Sequence, residues 1–201
     1  QLSPIVTESK YSIDSTSLNQ FLIWNYIPEP RSIYSSIKKL EAGHKFTYDL
    51  EKKSFTKNKY WDLDYSDNID LKLNYDEAKE RLDSYLRDSI KIRMMSDVPL
   101  GIFLSGGIDS SLIACLAQQI SESKVNTFSI KFNEKKFDES FYAEKVSKLI
   151  NSNHTTIESN ISEGLKLIDN YNKYYDEPFA DASAIPSLLL AKHTKKHVTV
   201  A

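Results

Sequence analysis

Residues 98–111 read Val-Pro-Leu-Gly-Ile-Phe-Leu-Ser-Gly-Gly-Ile-Asp-Ser-Ser, and no other stretch narrows the fold as much. An apolar run leads into a Gly-Gly turn with hydroxyls on both sides, and an apolar-periodic segment follows directly. That order predicts a strand, a tight turn and a helix. Gly106 and Gly107 accept backbone angles closed to other residues and let an anion approach the main chain. Ser105, Ser110 and Ser111 place hydroxyls around the turn. A helix beginning near Asp109 aims its free N–H groups, and the positive end of its dipole, at the same point. Together these residues make a cradle for a pyrophosphate.

The details select the kind of cradle. Gly101-x-x-x-x-Gly106 has the outline of a Walker A loop, but Gly107 stands where its lysine belongs and Ile108 where its Ser or Thr belongs. Without that lysine the loop is not built for γ-phosphate transfer. Asp109 sets a carboxylate beside the expected phosphates, which suits a Mg²⁺ lying between them. A loop that grips the β- and γ-phosphates and leaves the α-phosphate open releases pyrophosphate and transfers AMP. The run Ser105–Ser111 resembles the pyrophosphate loop of the ATP pyrophosphatase ("PP-loop") ligases. The plainer reading is an ordinary Gly-rich turn with Asp109 as helix cap. The buried strand before the loop and the helical pattern after it favour the cradle.

Composition excludes several classes. Charge is nearly balanced, at −2 over 201 residues, and no basic stripe points to nucleic acid. No apolar run approaches the ~20 residues of a membrane span. Residues 1–10 lack the basic start and apolar middle of a signal peptide. The single cysteine, Cys115, allows no internal disulfide and fits a reducing cytoplasm.

The texture changes along the chain. Residues 1–70 are rich in aromatics, turns and short alternating runs. A short helix is predicted over 18–26, ended by Pro28 and Pro30, and a hairpin over 45–50 and 54–61. The polar stretch 62–70 reads as a linker. From Asn74 the pattern is helical, with Glu77 completing a capping box and Ala78, Leu82, Tyr85, Leu86, Ile90 and Met94 on one apolar face. Strands are then predicted over 98–104, 125–132, 154–157 and 197–201. Helices are predicted over 110–120, 138–150 (Tyr142, Val146 and Leu149 inward), 162–171 and 184–195. This alternation predicts an α/β fold with right-handed crossovers and one parallel sheet, with Gly106 and Gly107 at its carboxyl edge.

Enough residues now stand together for a family resemblance. Ser96-Asp97-Val98-Pro99-x-Gly101, leading into Leu104-Ser105-Gly106-Gly107-Ile108-Asp109-Ser110-Ser111, resembles the synthetase domain of glutamine-hydrolysing asparagine synthetases. Thr127-Phe128-Ser129-Ile130, Phe137-Asp138-Glu139 with His154, and the run from Asp176 to Pro186 are similar to later segments of that domain. Upstream, Asn25-Tyr26-Ile27-Pro28, Ile37-x-x-Leu40, Gly43-His44 and Tyr60-Trp61 resemble the end of the family's glutaminase domain.

The resemblance implies a division into residues 1–61 (the tail of an Ntn-type glutaminase), 62–73 (a linker) and 74–201 (the first part of a PP-loop synthetase domain). It implies MgATP-dependent adenylation of the aspartate side chain, then amidation by ammonia from glutamine. ATP, aspartate and glutamine are the implied small-molecule partners. Ser105, Gly106, Gly107, Ser110 and Ser111 are implied to hold the pyrophosphate, Asp109 the Mg²⁺, and the backbones of Leu104 and Ile130 the adenosine. Plain strand packing accounts equally well for Ile130. The family's nucleophilic cysteine, its second nucleotide motif and its downstream lysine are absent, so no catalytic residue is assigned. The chain is expected to be an inactive middle piece with an exposed strand edge, prone to self-association as a homo-oligomer.

Other features carry competing readings. Asp176, Glu177 and Asp181 suit a metal or substrate amine, but a solvated loop with helix capping is favoured. The four histidines show no metal spacing. Arg93 is expected in a helix-surface ion pair rather than on a phosphate, and Cys115 in the core. The alternatives are another PP-loop amidotransferase or ligase, such as a β-lactam synthetase-like enzyme or an amidating enzyme of a surface-polysaccharide pathway, and a nucleotide-binding module without chemistry.

Overall fold

The computed structural model describes residues 11–63, 73–133, 138–159 and 161–201. Most of the expected linker and the Phe137 position lie outside the described residues. Contacts divide the chain into two units, one of residues 1–70 with 169–182, the other of 71–168 with 183–201.

The first unit opens with α1 (Ser15–Trp24). Asp14 caps it by accepting from Thr16 N and Ser17 N at 2.8 and 3.2 Å, and Asn25 ends it in the left-handed region at φ 64°. The hairpin pairs β1 (His44–Asp49) with β2 (Ser54–Lys59) antiparallel. The Asp49 carboxylate accepts from Glu51 N and Lys52 N, and Phe46 stacks on Phe55 at 5.3 Å. The segment 169–182, which includes the 3₁₀ turn Tyr171–Lys173, belongs to this unit although it stands in sequence among the strands and helices of the other. Its anchors are long-range: Glu177 bonds Lys39 and Ile33 N, and Ala180 N donates to Asn25 O at 2.9 Å. Such pairings have no periodic signature in sequence.

The second unit begins with α2 (Tyr75–Arg93), whose start is the expected capping box of Asn74 and Glu77. Three parallel strands follow, β3 (Gly101–Phe103), β4 (Asn126–Lys131) and β5 (Asn153–Glu158), in spatial order β3-β4-β5. The crossovers are α3 (Ile108–Ile120) and α4 (Ser140–Ile150); α5 (Ile161–Ile168) and α6 (Ala184–Thr194) come later. On one face Ile90, Leu116, Ala117 and Val125 form one apolar cluster, and Leu104, Ala114 and Ala143 another. Phe128, Ile157 and Val198 pack with Leu190 of α6 in a third.

Three expectations change. Residues 197–201 form no strand ladder: only a parallel bridge of Leu100 with Val200 is present, with Gly101 N donating to Val200 O at 2.8 Å. Tyr142 and Leu149 of α4 are not inward but 58 % and 82 % exposed. Val146 does pack inward, with Ile150, against the Leu104–Ala114–Ala143 cluster, while the fully buried positions of α4 are small: Ser140, Ala143 and Ser147, at i, i+3 and i+7. On α2, Leu82 and Tyr85 are exposed, and burial begins only towards Ile90.

Candidate active site

Of the two glycines in the loop after β3, only Gly106 takes a backbone angle closed to other residues. Gly106 has φ +87°, and a Cβ built on it would lie 2.6 Å from Ala143 N and from Tyr142 Cβ. Gly106 therefore serves both a positive φ and a close approach to the first turn of α4. Gly107 differs: its φ is −69° and a Cβ would meet only Ser105 Oγ at 3.4 Å. The space over Gly107 is open, and Gly107 is also the N-cap of α3, which has no side-chain cap. The first N–H groups of α3 have no intrahelical acceptor and suit an anion.

The hydroxyls close the loop on itself. Ser110 Oγ accepts from Ser105 N at 3.3 Å, shares a 2.9 Å hydrogen bond with Ser105 Oγ and donates to Gly107 O at 3.3 Å. Gly107 N donates to Ser105 Oγ at 3.3 Å. An arriving anion would exchange these weak bonds for charge-assisted ones. Asp109 lies in the first turn of α3. Ser111 follows in the helix, its Oγ buried without a hydrogen-bond partner; a ligand reaches it only if the loop moves.

A cavity of about 280 Å³ opens beside the loop. Leu104, Ser105, Ser110 and Ile130, all singled out by sequence, line it. So do Phe103, Phe128, Ser129, Phe132, Glu139 and Leu190, which sequence reasoning left unassigned to a site. Gly106, Gly107, Asp109 and Ser111 are not among its lining residues. The mixture of apolar walls with hydroxyls and a carboxylate is that of a small-molecule site. Ser129 and Thr127 are buried and hold His154 between them, at 3.1 Å to Nε2 and 2.9 Å to Nδ1. Burial pushes the His154 pKa below its ordinary value, against the opposing pull of Glu144.

Several of the remaining candidates have partners within the chain. Glu177 accepts from Lys39 Nζ, in a pair with side chains 19 % and 27 % exposed. His193 Nε2 meets Glu163 at 2.9 Å and His44 Nδ1 meets Ala42 O. Arg93 bonds Ser89 O and Oγ of its own helix, and among the described residues it makes no ion pair. Cys115 is partly buried on α3. Among the described residues no group of three His, Cys, Asp or Glu is placed to hold a metal ion, and no helix is long and apolar enough to cross a membrane.

Residues 81–201 match the asparagine synthase family. The chain belongs to that family. A Methanocaldococcus jannaschii protein provisionally named asparagine synthetase (glutamine-hydrolyzing) 2 is 38 % identical over 95 % of this chain and 36 % of its own length. Asparagine synthetase (glutamine-hydrolyzing) 1 of Bacillus subtilis is 31 % identical over 99 % of this chain and 31 % of its own. The chain thus spans about a third of the length of these curated relatives. Among solved structures, a glutamine-dependent NAD⁺ synthetase from Acinetobacter baumannii aligns over 74 % of this chain and 27 % of its own, at 20 % identity and a TM-score of 0.41.

Proposed function

We propose that this chain carries the nucleotide-gripping part of an ATP-dependent, glutamine-hydrolysing asparagine synthetase. One observation carries the reading: within the stretch that matches the family, the Gly106–Gly107 turn leaves open space over an uncapped helix start, beside an apolar cavity. Ser105, Gly106, Gly107 and Ser110 take the pyrophosphate, and Ser111 joins them after a loop rearrangement. The backbones of Leu104 and Ile130 face the adenosine. Asp109, in the first turn of α3, would hold Mg²⁺, which when bound would neutralise phosphate charge.

An oxygen of the aspartate β-carboxylate attacks the α-phosphorus, the bond to the β-phosphate breaks, and pyrophosphate leaves. Ammonia from glutamine then attacks the acyl carbon and AMP leaves, giving asparagine. The loop contributes by fixing the leaving pyrophosphate with oriented N–H and hydroxyl donors. We assign the complete reaction to the longer protein rather than to these 201 residues alone. Residues 1–61 stand as the tail of its glutaminase part, 62–73 as linker and 74–201 as the start of its synthetase part, in a cytoplasmic homo-oligomer.

The test is product analysis on the intact protein with ATP, glutamine and aspartate. Asparagine, AMP and pyrophosphate are expected in equal amounts. Pyrophosphate release that depends on another carboxylate overturns the choice of acceptor, and ADP with phosphate overturns the reading of the loop.

A further inference from the structure

Within the second unit, the parallel register of β4 and β5 sets Thr127 opposite His154 and Ser129 opposite Thr156, all four on one face of the sheet. We propose that His154, as a neutral ring, is a positioning residue for the nucleotide cavity: it fixes Ser129 and with it the Ile130 end of β4. The inference rests on the cavity's assignment to ATP.

Side chains two residues apart on a strand stand ~6.6 Å from one another. The imidazole fills that step with a nitrogen at each side, Nδ1 at 2.9 Å from Thr127 Oγ1 and Nε2 at 3.1 Å from Ser129 Oγ. Both hydroxyls belong to buried residues, so water does not replace a lost partner. Thr127 Oγ1 has a second good partner, Ser152 Oγ at 2.9 Å. Ser129 Oγ has a poorer one, Thr156 Oγ1 at 3.5 Å. Ser129 is therefore the hydroxyl that depends on the ring. It lines the cavity together with Ile130 and Leu104, and Leu104 N is tied to the same strand by a 2.8 Å bond to Phe128 O. His154 is not among the lining residues and acts from behind the wall.

The charge of the ring decides how it holds them. A neutral imidazole carries one N–H and one lone pair, so it donates to one hydroxyl and accepts from the other. A protonated ring carries two N–H groups and no acceptor. Both hydroxyls must then accept, and the Ser129 hydrogen turns towards Thr156 or into the cavity. The surroundings favour the neutral form. β4 and α4 pack against β5. β4 brings one charged side chain, Lys131, whose Nζ lies 4.0 Å from Glu158 at the end of β5. α4 brings Glu144, Lys145 and Lys148; Lys145 sits over the Phe141 ring and Lys148 is exposed. Burial pushes the His154 pKa down and outweighs the upward pull of Glu144.

Calorimetric titration of the intact protein with MgATP tests the positioning role. His154→Leu should weaken ATP binding by about fivefold or more, and combined with Ser129→Ala it should be little worse than Ser129→Ala alone. His154→Gln, which keeps a neutral donor and acceptor, should bind within about twofold of the wild type. Asn74→Ala breaks the capping box of α2 away from the cavity; it should lower the melting temperature and leave ATP affinity within about twofold of the wild type. Wild-type affinity in His154→Leu, or an equal loss in Asn74→Ala, overturns the positioning role. A loss in His154→Gln as large as in His154→Leu overturns the hydrogen-bonding account of it.

NMR of the imidazole signals, with His154 assigned by its absence from His154→Gln, decides the charge and needs no destabilised variant. If ATP binds to the neutral-ring form, saturating MgATP must lower the His154 pKa, by reciprocity. An unmoved pKa, or a rise from attraction between imidazolium and phosphate, overturns the neutral ring. Absence of ATP binding in the wild-type protein overturns the nucleotide reading itself, and the positioning role with it.

Discussion

β4 and the β1–β2 hairpin are built from strands of six residues each, in opposite surroundings. In β4, Thr127, Phe128 and Ser129 are 0 %, 2 % and 2 % exposed. β2 is exposed along its whole length. The hairpin is shaped by local means: an Asp49 side chain folded over the turn, a positive φ at Lys53 and one stacked aromatic pair. β4 is shaped by what covers it, with the Thr127–His154–Ser129 hydrogen bonds on one face and the Phe128 cluster on the other. Only the second kind of strand can hold a binding loop still, because each neighbour fixes it in a different direction. The cavity lies beside β4, which gives it Phe128, Ser129 and Ile130.

Truncation is the strongest way to break this comparison. Phe128→Ala should destabilise the protein by about 3–5 kcal/mol in urea denaturation. Phe46→Ala, on a residue 53 % exposed, should cost roughly 0.5–1 kcal/mol, the scale of one exposed cross-strand aromatic pair. Equal losses would mean that the hairpin is as well supported as the sheet.

Gly106→Ala comes next. The positive φ alone costs an L-residue about 1–2 kcal/mol, and contact with the Ala143 backbone raises the total to roughly 2–4 kcal/mol. A melting temperature within a degree or so of the wild type would show that the loop relaxes away from α4 at little cost. Gly107→Val separates binding from folding. Its side chain enters open space, so stability should fall by about 1 kcal/mol or less, the scale of an N-cap change. ATP affinity should fall about tenfold, or ~1.4 kcal/mol, as the phosphate position is filled. Unchanged affinity by calorimetry would remove Gly107 from the cradle.

The smallest effects are in pH. The hydrogen bond from Lys192, then that from His193, holds the Glu163 carboxyl at about 2 against a usual 4.5. Its contribution is present in full above pH 4.5 and is lost as pH falls towards 2. The acid-unfolding profile of Glu163→Gln should be flatter than wild type in that window. His154 acts at higher pH. Its folded pKa lies below 6.5, so the unfolded chain takes up the proton first and stability declines as pH falls below 6.5. His154→Asn should lessen that decline in denaturant titrations near pH 6.

The strand–turn–helix order around Gly106, the capping box of Asn74 and Glu77, and the parallel α/β series were legible because each is a local pattern with a local cause. On the inner face of α4, Val146 was legible but the buried Ser140 and Ser147 were not, because small residues that permit close packing resemble surface residues in sequence. Nor was the short pairing of Val200 with Leu100, since an apolar run says nothing about how long a ladder it will join.

The sequence by itself determined the loop: only Gly at position 106 combines a positive φ with contact against a helix backbone, and the serines needed for donors are its chain neighbours. Tertiary structure alone decided what surrounds it. Glu139, just before α4, and Leu190 of α6 reach the cavity from separate parts of the chain, and Glu177 finds Lys39 across 138 positions of chain. Those partners are chosen by the three-dimensional path, which closes long loops at an entropy cost that grows only with the logarithm of their length. Sequence distance is therefore a poor guide to which charges meet.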